Sequence, residues 1–305
     1  MFWYGLFKAA LFRPVVRGLF RAKITGAENI PATGPVLLAS NHLSAGETFV
    51  LPAMVRRRMT FPAKAELFRG DRGLGSKIVA GFLRLIGQIP LDRSGGRVSM
   101  AALGPVLDEL AAGGAVGIFP EGKRSPDGRL YKGKTGVARL ALASGAPVVP
   151  IAMFDTQTVR TRLGVPWIRR PRIVVGEPLR FDEYRGGVDD HAVLRWVTDE
   201  VMNAIMELSG QTYVDLYASS VASGSVSAAD AQARVRPRPG GKGAPAVPGP
   251  DGKPAAVRDG SAAPQAGSAS DVDADVAADP VATPDVAPAA ADARRTRPRR
   301  GRASA

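Results

Sequence analysis

Pro35-Val36-Leu37-Leu38-Ala39-Ser40-Asn41-His42-Leu43-Ser44-Ala45-Gly46-Glu47 sets out a short apolar strand, a polar loop and the start of a helix. The run Pro35–Ser40 has the length and apolarity of a strand, and Thr48–Arg57 has the pattern of the helix after it. An α/β fold displays functional groups where a strand hands over to such a loop. A neutral imidazole at His42 accepts a proton on one ring nitrogen when a carboxylate holds the other. Glu47 follows a glycine at the head of the helix and is placed to be that carboxylate. With a substrate hydroxyl standing where a serine would, the pair repeats the histidine–carboxylate half of a catalytic triad. Taken alone, His-x-x-x-x-Glu reads first as an ordinary polar loop, because a catalytic constellation needs more than one matching pair.

Outward from this stretch, strand-like and helix-like segments alternate. Strands are expected at Met59–Glu66, Gly87–Leu91, Ala115–Phe119, Val148–Met153 and Arg172–Val175, and helices at Gly75–Ile86, Val98–Ala112, Gly136–Ala143 and Asp190–Leu208. Such alternation predicts an α/β fold: a single domain over residues 22–217, with a mixed, largely parallel sheet covered by helices. Residues 1–21 read as amphipathic helices, with Arg13, Arg17 and Arg21 sharing one side and Phe2, Trp3, Phe7, Leu11 and Phe12 among the apolar residues. Two readings stand for them: helices lying in a membrane interface, or helices packed on the domain core. Residues 218–305 are dominated by Ala, Pro, Gly, Ser and Asp, bury too little apolar surface to offset ordering entropy, and are expected to form a disordered tail with a basic end.

The chain carries a net charge of +13 and has no cysteine. From Ser220 onward there are 12 Lys and Arg against 9 Asp and Glu, leaving 29 against 19 before it, so the basicity belongs mainly to the folded part. A field of that sign favours anionic lipid surfaces, phosphorylated substrates or nucleic acid. Absence of cysteine excludes disulfides, thiolate metal sites and an acyl-cysteine intermediate. With only two histidines, His42 and His191, imidazole catalysis has few places to be. No run of eighteen uncharged apolar residues is present, so a spanning helix is not expected, and the opening segment lacks a signal-peptide cleavage site.

Three further stretches are singled out. Phe119-Pro120-Glu121-Gly122-Lys123-Arg124-Ser125 puts a carboxylate, a turn glycine and two cations directly after an apolar strand. Gly87-Gln88-Ile89-Pro90-Leu91-Asp92-Arg93 ends a short strand on an arginine, and Val148-Val149-Pro150-Ile151-Ala152 is an apolar strand containing proline. With Asn41-His42-x-x-x-x-Glu47, these blocks resemble, in order and spacing, the signature blocks of the glycerolipid acyltransferase family, its lysophosphatidate (1-acylglycerol-3-phosphate) members in particular. The resemblance covers residues from about Ala22 to Leu208. One departure stands out, since the family's first block ends in aspartate and this chain has Glu47.

The resemblance implies transfer of an acyl group from a thioester to the free hydroxyl of 1-acylglycerol-3-phosphate, giving phosphatidate in phospholipid biosynthesis. Its implied catalytic pair is His42 and Glu47. Its implied substrate-binding residues are Arg93, Glu121, Gly122, Arg124 and Lys64, with Lys132 and Lys134 as weaker candidates for the phosphate. Neither metal nor cofactor is implied, and acyl-CoA or acyl carrier protein enters as co-substrate. The implied partners are a membrane lipid surface and a lysophospholipid acceptor, met at the cytoplasmic face of the inner membrane. Glycerol-3-phosphate, another lysophospholipid or a glycolipid are alternative acceptors, and a lipid-binding relative without turnover is a different class of reading. The folded part shows no nucleic-acid motif, so nucleic acid is not expected as a partner.

Overall fold

The computed structural model describes residues 10, 12–71, 73–85, 87–91, 100–160, 166–241 and 243–246. In chain order its main domain runs β1 (Lys23–Thr25), β2 (Val36–Ser40), α1 (Glu47–Met54), β3 (Met59–Thr60), β4 (Pro62–Lys64), α2 (Leu74–Leu85), β5 (Ile89–Leu91), α3 (Met100–Ala111) and β6 (Ala115–Ile118). It continues through β7 (Leu130–Tyr131), α4 (Gly136–Ser144), β8 (Val148–Phe154), β9 (Thr158–Arg160), β10 (Pro166–Ile168), β11 (Arg172–Val175) and α5 (His191–Ser209). The central sheet has the order β1-β11-β8-β2-β6-β3. All its neighbours are parallel except β11 and β8, which gives the mixed, largely parallel sheet expected of the alternating pattern.

Strand β2 lies mid-sheet, with Leu38 opposite Gly117 of β6 and Val149 of β8. All five of its residues are buried, as a strand covered on both faces requires. Val36 and Leu38 pack with Val50, Leu51, Val149 and Ile151 on one side. Leu37 and Ala39 pack with Val106 and Leu110 of α3, Leu140 of α4 and Met202 and Ile205 of α5 on the other. Period-two alternation therefore divides one apolar run between two cores.

Differences from the sequence reading are local. Met59–Glu66 breaks into β3 and β4, because Phe61 leaves the central sheet and β4 pairs instead with β5 in a separate parallel pair. The β9–β10 hairpin and the edge strand β1 were not anticipated. In the N-terminal segment, Val15–Leu19 is a π-helical turn closed by the Phe20 N–H donating to the Val15 carbonyl at 3.1 Å. Val16 of this turn packs on the core while Arg17 and Leu19 face outward. Residues 1–9 and 11, and the apolar side chains placed there, lie outside the described residues.

Residues 218–236, which the sequence reading placed in a disordered tail, carry secondary structure. Strand β12 (Tyr213–Val214) adds to β7 in parallel, α6 (Ala218–Ala222) and α7 (Ala228–Ala233) follow, and β13 (Val235–Arg236) pairs antiparallel with β12. Ala218 and Ala231 are buried with Tyr131 and Val214. Small side chains close this cluster, so a composition poor in large apolar residues concealed it. Residues 247–305 lie outside the described residues. Among the described residues, no helix is long and apolar enough to cross a membrane.

Gly117 of β6 faces Phe61, and a Cβ built there would stand 2.3 Å from the phenyl ring and 2.8 Å from the Met59 methyl. Relief of backbone freedom by Gly→Ala is worth under about 1 kcal/mol, less than overpacking costs. Gly117→Ala is therefore expected to lower the unfolding free energy by about 1–3 kcal/mol, read as a lower urea midpoint at unchanged slope.

Candidate active site

The parallel strands β2, β6 and β8 end on the same edge of the sheet, and the segments after them supply the site. Beyond β2, Asn41 is buried and acts as an extra rung of the sheet. Its Oδ1 accepts from the Met153 N–H at 2.8 Å and its Nδ2 donates to the Met153 carbonyl at 3.1 Å. Nδ2 also donates to Gln211 Oε1 at 2.8 Å. The amide pins the end of β2 to β8 and so fixes where His42 leaves the sheet.

His42 and Glu47 meet as the sequence pattern requires, with Nδ1 2.6 Å from Oε2. Glu47 is fully buried at the first position of α1. Its other oxygen, Oε1, accepts from the Leu43 N–H at 2.8 Å, the Ser44 N–H at 2.9 Å and the Thr156 hydroxyl at 2.7 Å. Oε1 thus accepts three hydrogen bonds while Oε2 faces the ring, an arrangement that suits a carboxylate accepting from an Nδ1–H and leaving Nε2 free to take a proton. The imidazole stacks on Phe119, ring centroids 4.0 Å apart and planes 13° from parallel, and Phe119 stacks in turn on Phe61 at 5.4 Å.

The segment after β6 approaches from the other side. Glu121 is 1% exposed. Its Oε1 accepts from the His42 N–H at 2.9 Å and its Oε2 from the Tyr131 N–H at 3.0 Å. Burial pushes its carboxyl up to about 8, against the pull of those two backbone donors, with the Glu47 charge adding a smaller push. The Ser125 N–H closes the circuit by donating to the His42 carbonyl at 2.7 Å. Both peptide groups of His42 are thus held by the Phe119–Ser125 stretch.

Gly122 has φ +69°, the left-handed conformation that favours glycine, and a Cβ there would meet the Lys134 side chain at 3.0 Å. Lys123, Arg124 and Lys134 are exposed beside this turn. Lys132 instead pairs with Asp215 at 2.8 Å. Lys64 ends β4 opposite Leu91. Arg93 lies outside the described residues. The second histidine, His191, opens α5 and lines a surface concavity with Arg195, Trp196 and Gly240, none of which belongs to the His42 site. Among the described residues, no cluster of His, Asp and Glu is arranged to ligate a metal.

Sequence reading missed Thr156, which is fully buried and reaches Glu47 through its hydroxyl while its carbonyl accepts from Ser44 Oγ at 2.6 Å. Asp155, at φ +56°, makes the turn that brings Thr156 in. Its only sequence signal is position: a hydroxyl residue just past the third parallel strand of the site.

Comparison with known proteins supplies the remaining findings. Residues 21–154 match the family model described as Acyltransferase. The 1-acyl-sn-glycerol-3-phosphate acyltransferase of Pseudomonas aeruginosa is 37% identical over 139 residues, 45% of this chain and 51% of that one. The chloroplastic protein of the same name from Arabidopsis thaliana is 31% identical over 138 residues, 45% of this chain and 37% of that one. The chain thus spans about half or less of the length of these relatives. The solved structure of the 1-acyl-sn-glycerophosphate acyltransferase from Thermotoga maritima is 23% identical, covers 67% of this chain and 78% of its own, and superposes with a TM-score of 0.47.

The buried Glu121 carries a pH dependence. Its folded pKa, about 8, lies above the ordinary 4.5, so between those values the folded chain keeps a proton that the unfolded chain has lost. The unfolded state then binds fewer protons, and stability falls as pH rises through this window. Glu121→Gln removes the titrating group and leaves a single acceptor oxygen for two backbone N–H groups. Urea melts at pH 5 and pH 8 are expected to show a smaller drop for the variant than for wild type. At pH 5 the variant is expected to be less stable by about 1–3 kcal/mol, the cost of one orphaned buried N–H.

Proposed function

We propose that this chain, whose residues 21–154 match the acyltransferase family model, transfers a fatty acyl group from a thioester to the free hydroxyl of 1-acyl-sn-glycerol-3-phosphate, yielding phosphatidate. The observation that carries this reading is the His42–Glu47 pair, with Nδ1 2.6 Å from Oε2. In the proposed reaction Nε2 takes the hydroxyl proton as the oxygen attacks the thioester carbonyl carbon. The new C–O bond makes a tetrahedral oxyanion, and its collapse breaks the C–S bond. The imidazolium then returns the proton to the departing thiolate, so the histidine ends as it began.

Each neighbour has a part in the scheme. Glu47 fixes the tautomer and offsets the transient imidazolium charge, as the carboxylate of a triad does. The face of Phe119 lies against the same ring and favours the cation. Arg124 and Lys134, beside the Gly122 turn, are the described cations proposed to take the acceptor's phosphate, with Arg93 and Lys64 as further donors of charge. A guanidinium suits this role because its fork of N–H donors matches phosphate oxygens. Glu121, whose two oxygens are engaged by backbone, acts in this scheme on the placement of His42. Coenzyme A or carrier protein brings the acyl group, and the reaction takes place at the cytoplasmic face of the inner membrane.

Thioester-dependent acylation of 1-acyl-sn-glycerol-3-phosphate, measured with the full chain in mixed micelles, tests the reading. His42→Ala is expected to lower kcat by about 100-fold or more. Glu47→Gln presents an amide to Nδ1 and can favour the wrong tautomer, so it is expected to approach that loss. Glu47→Asp keeps the charge on a shorter arm and is expected to lose about 10- to 100-fold through misplacement. Wild-type protein inactive with both donor classes would reject this acceptor, and activity that survives His42→Ala would reject the assigned base.

A further inference from the structure

Helix α2 packs the wrong way round for a helix of a water-facing domain. At about 100° per residue, Leu74 and Ile78 share a face, and Ala80 lies about 200° round from Ile78. The helix buries Ala80, 1% exposed, and turns outward Leu74 at 76% and Ile78 at 64%. Val79 and, on the 3-10 turn before the helix, Leu67 are exposed beside them. A surface helix gains its stability by burying the apolar side, so this arrangement sacrifices burial that a simple rotation would recover. Apolar surface grouped in this way marks a contact made with something else.

Charge identifies the partner. Lys77 is exposed one residue from Ile78, and Arg84 is exposed near the end of the helix, where it donates to the Phe68 carbonyl at 2.5 Å. Residues 62–91 hold five Lys and Arg against two Asp and Glu, within a chain of net charge +13. Leucine and isoleucine at the tip with basic side chains behind them is the make-up of an interfacial helix: apolar groups enter the acyl region and the cations stay among headgroups.

We propose that the outward face of α2 docks on an anionic lipid surface, with Leu74 and Ile78 inserted and Lys77 among the headgroups. The docking face belongs to the excursion between Phe61 and β5, and Phe61 carries the ring stack that ends on His42. Docking there brings the acceptor's own medium to the segment bordering the site. The residues of this surface are not those of the N-terminal segment read in the sequence as amphipathic. It rests on the proposed reaction for its purpose, while its test uses no thioester and reads binding alone.

The test is flotation of the full chain with vesicles of phosphatidylcholine and of an equal mixture of phosphatidylcholine and phosphatidylglycerol. Wild type is expected to favour the anionic vesicles. Leu74→Glu combined with Ile78→Glu is expected to lower partitioning by about tenfold or more, and Lys77→Glu to narrow the difference between the two vesicle types. Both positions are exposed, so the urea midpoint and turnover on a soluble, short-chain acceptor are expected to stay at wild-type values. Partitioning unchanged in the double variant would overturn the proposal and leave membrane binding to other parts of the chain. So would a wild-type dimer, seen by light scattering, that the substitutions split without loss of vesicle binding, since the face would then belong to a second copy. Loss of binding with acylation of a soluble acceptor intact would separate this surface from the reaction itself.

Discussion

A carboxylate with no exposed surface needs donors around it, and Glu47 has them in the Leu43 and Ser44 N–H groups, the Thr156 hydroxyl and the His42 ring. Stripping a buried charge of its partners costs several kcal/mol, so these groups move together or not at all. Glu121 repeats the arrangement from the opposite side and holds the backbone of His42 rather than its ring. One histidine is therefore held by two buried acids, one at the head of α1 and one in the segment after β6. The sheet below makes this possible, because Asn41 clamps the end of β2 to Met153 of β8 and leaves the loop little freedom.

The two acids are not equivalent. Glu47 has charge-stabilising contacts on both oxygens, including a hydroxyl and an imidazole N–H, whereas Glu121 has one backbone donor on each oxygen and a carboxyl raised to about 8 by burial. A transient imidazolium at His42 gains from the Glu47 carboxyl group because that group faces the ring directly, whereas Glu121 meets only the backbone of His42. A second full negative charge at Glu121 would raise the cost of burying both.

The site was legible where it is local. His42 and Glu47 lie within one loop and one helix start, so their spacing alone brings them within reach, and the apolar run before them identified a strand, though not its place mid-sheet. Glutamate in the family's aspartate position could not be judged from sequence. Its longer side chain reaches the imidazole and still satisfies Leu43, Ser44 and Thr156. Thr156 could not be read because its approach depends on the turn at Asp155 and on β8 lying beside β2. The inward direction of Glu121 was equally hidden, since the same residues after a strand suit a surface turn. Periodicity predicted α2 as a helix but was silent on which side would face the body, and the buried side is the one carrying Ala80. Residues 213–236 were concealed by small side chains that close a cluster through backbone pairing.

The ring stack joins these parts physically. Gly117 has no side chain because Phe61 occupies that space, and Phe61 supports Phe119, which supports the imidazole. Phe61 is also held by its backbone: its N–H donates to Gln88 Oε1 at 2.8 Å and its carbonyl accepts from the Ile89 N–H at 3.0 Å. Those two bonds tie the beginning of the α2 excursion to its end. Phe61 therefore belongs both to the ring stack beside the histidine and to the bonds that close the α2 excursion. A docked lipid surface that excluded water beside the base would act on a pair whose carboxyl group is already buried. Electrostatic interactions strengthen as water is removed, so the pull of Glu47 on an imidazolium would be greatest in that docked state.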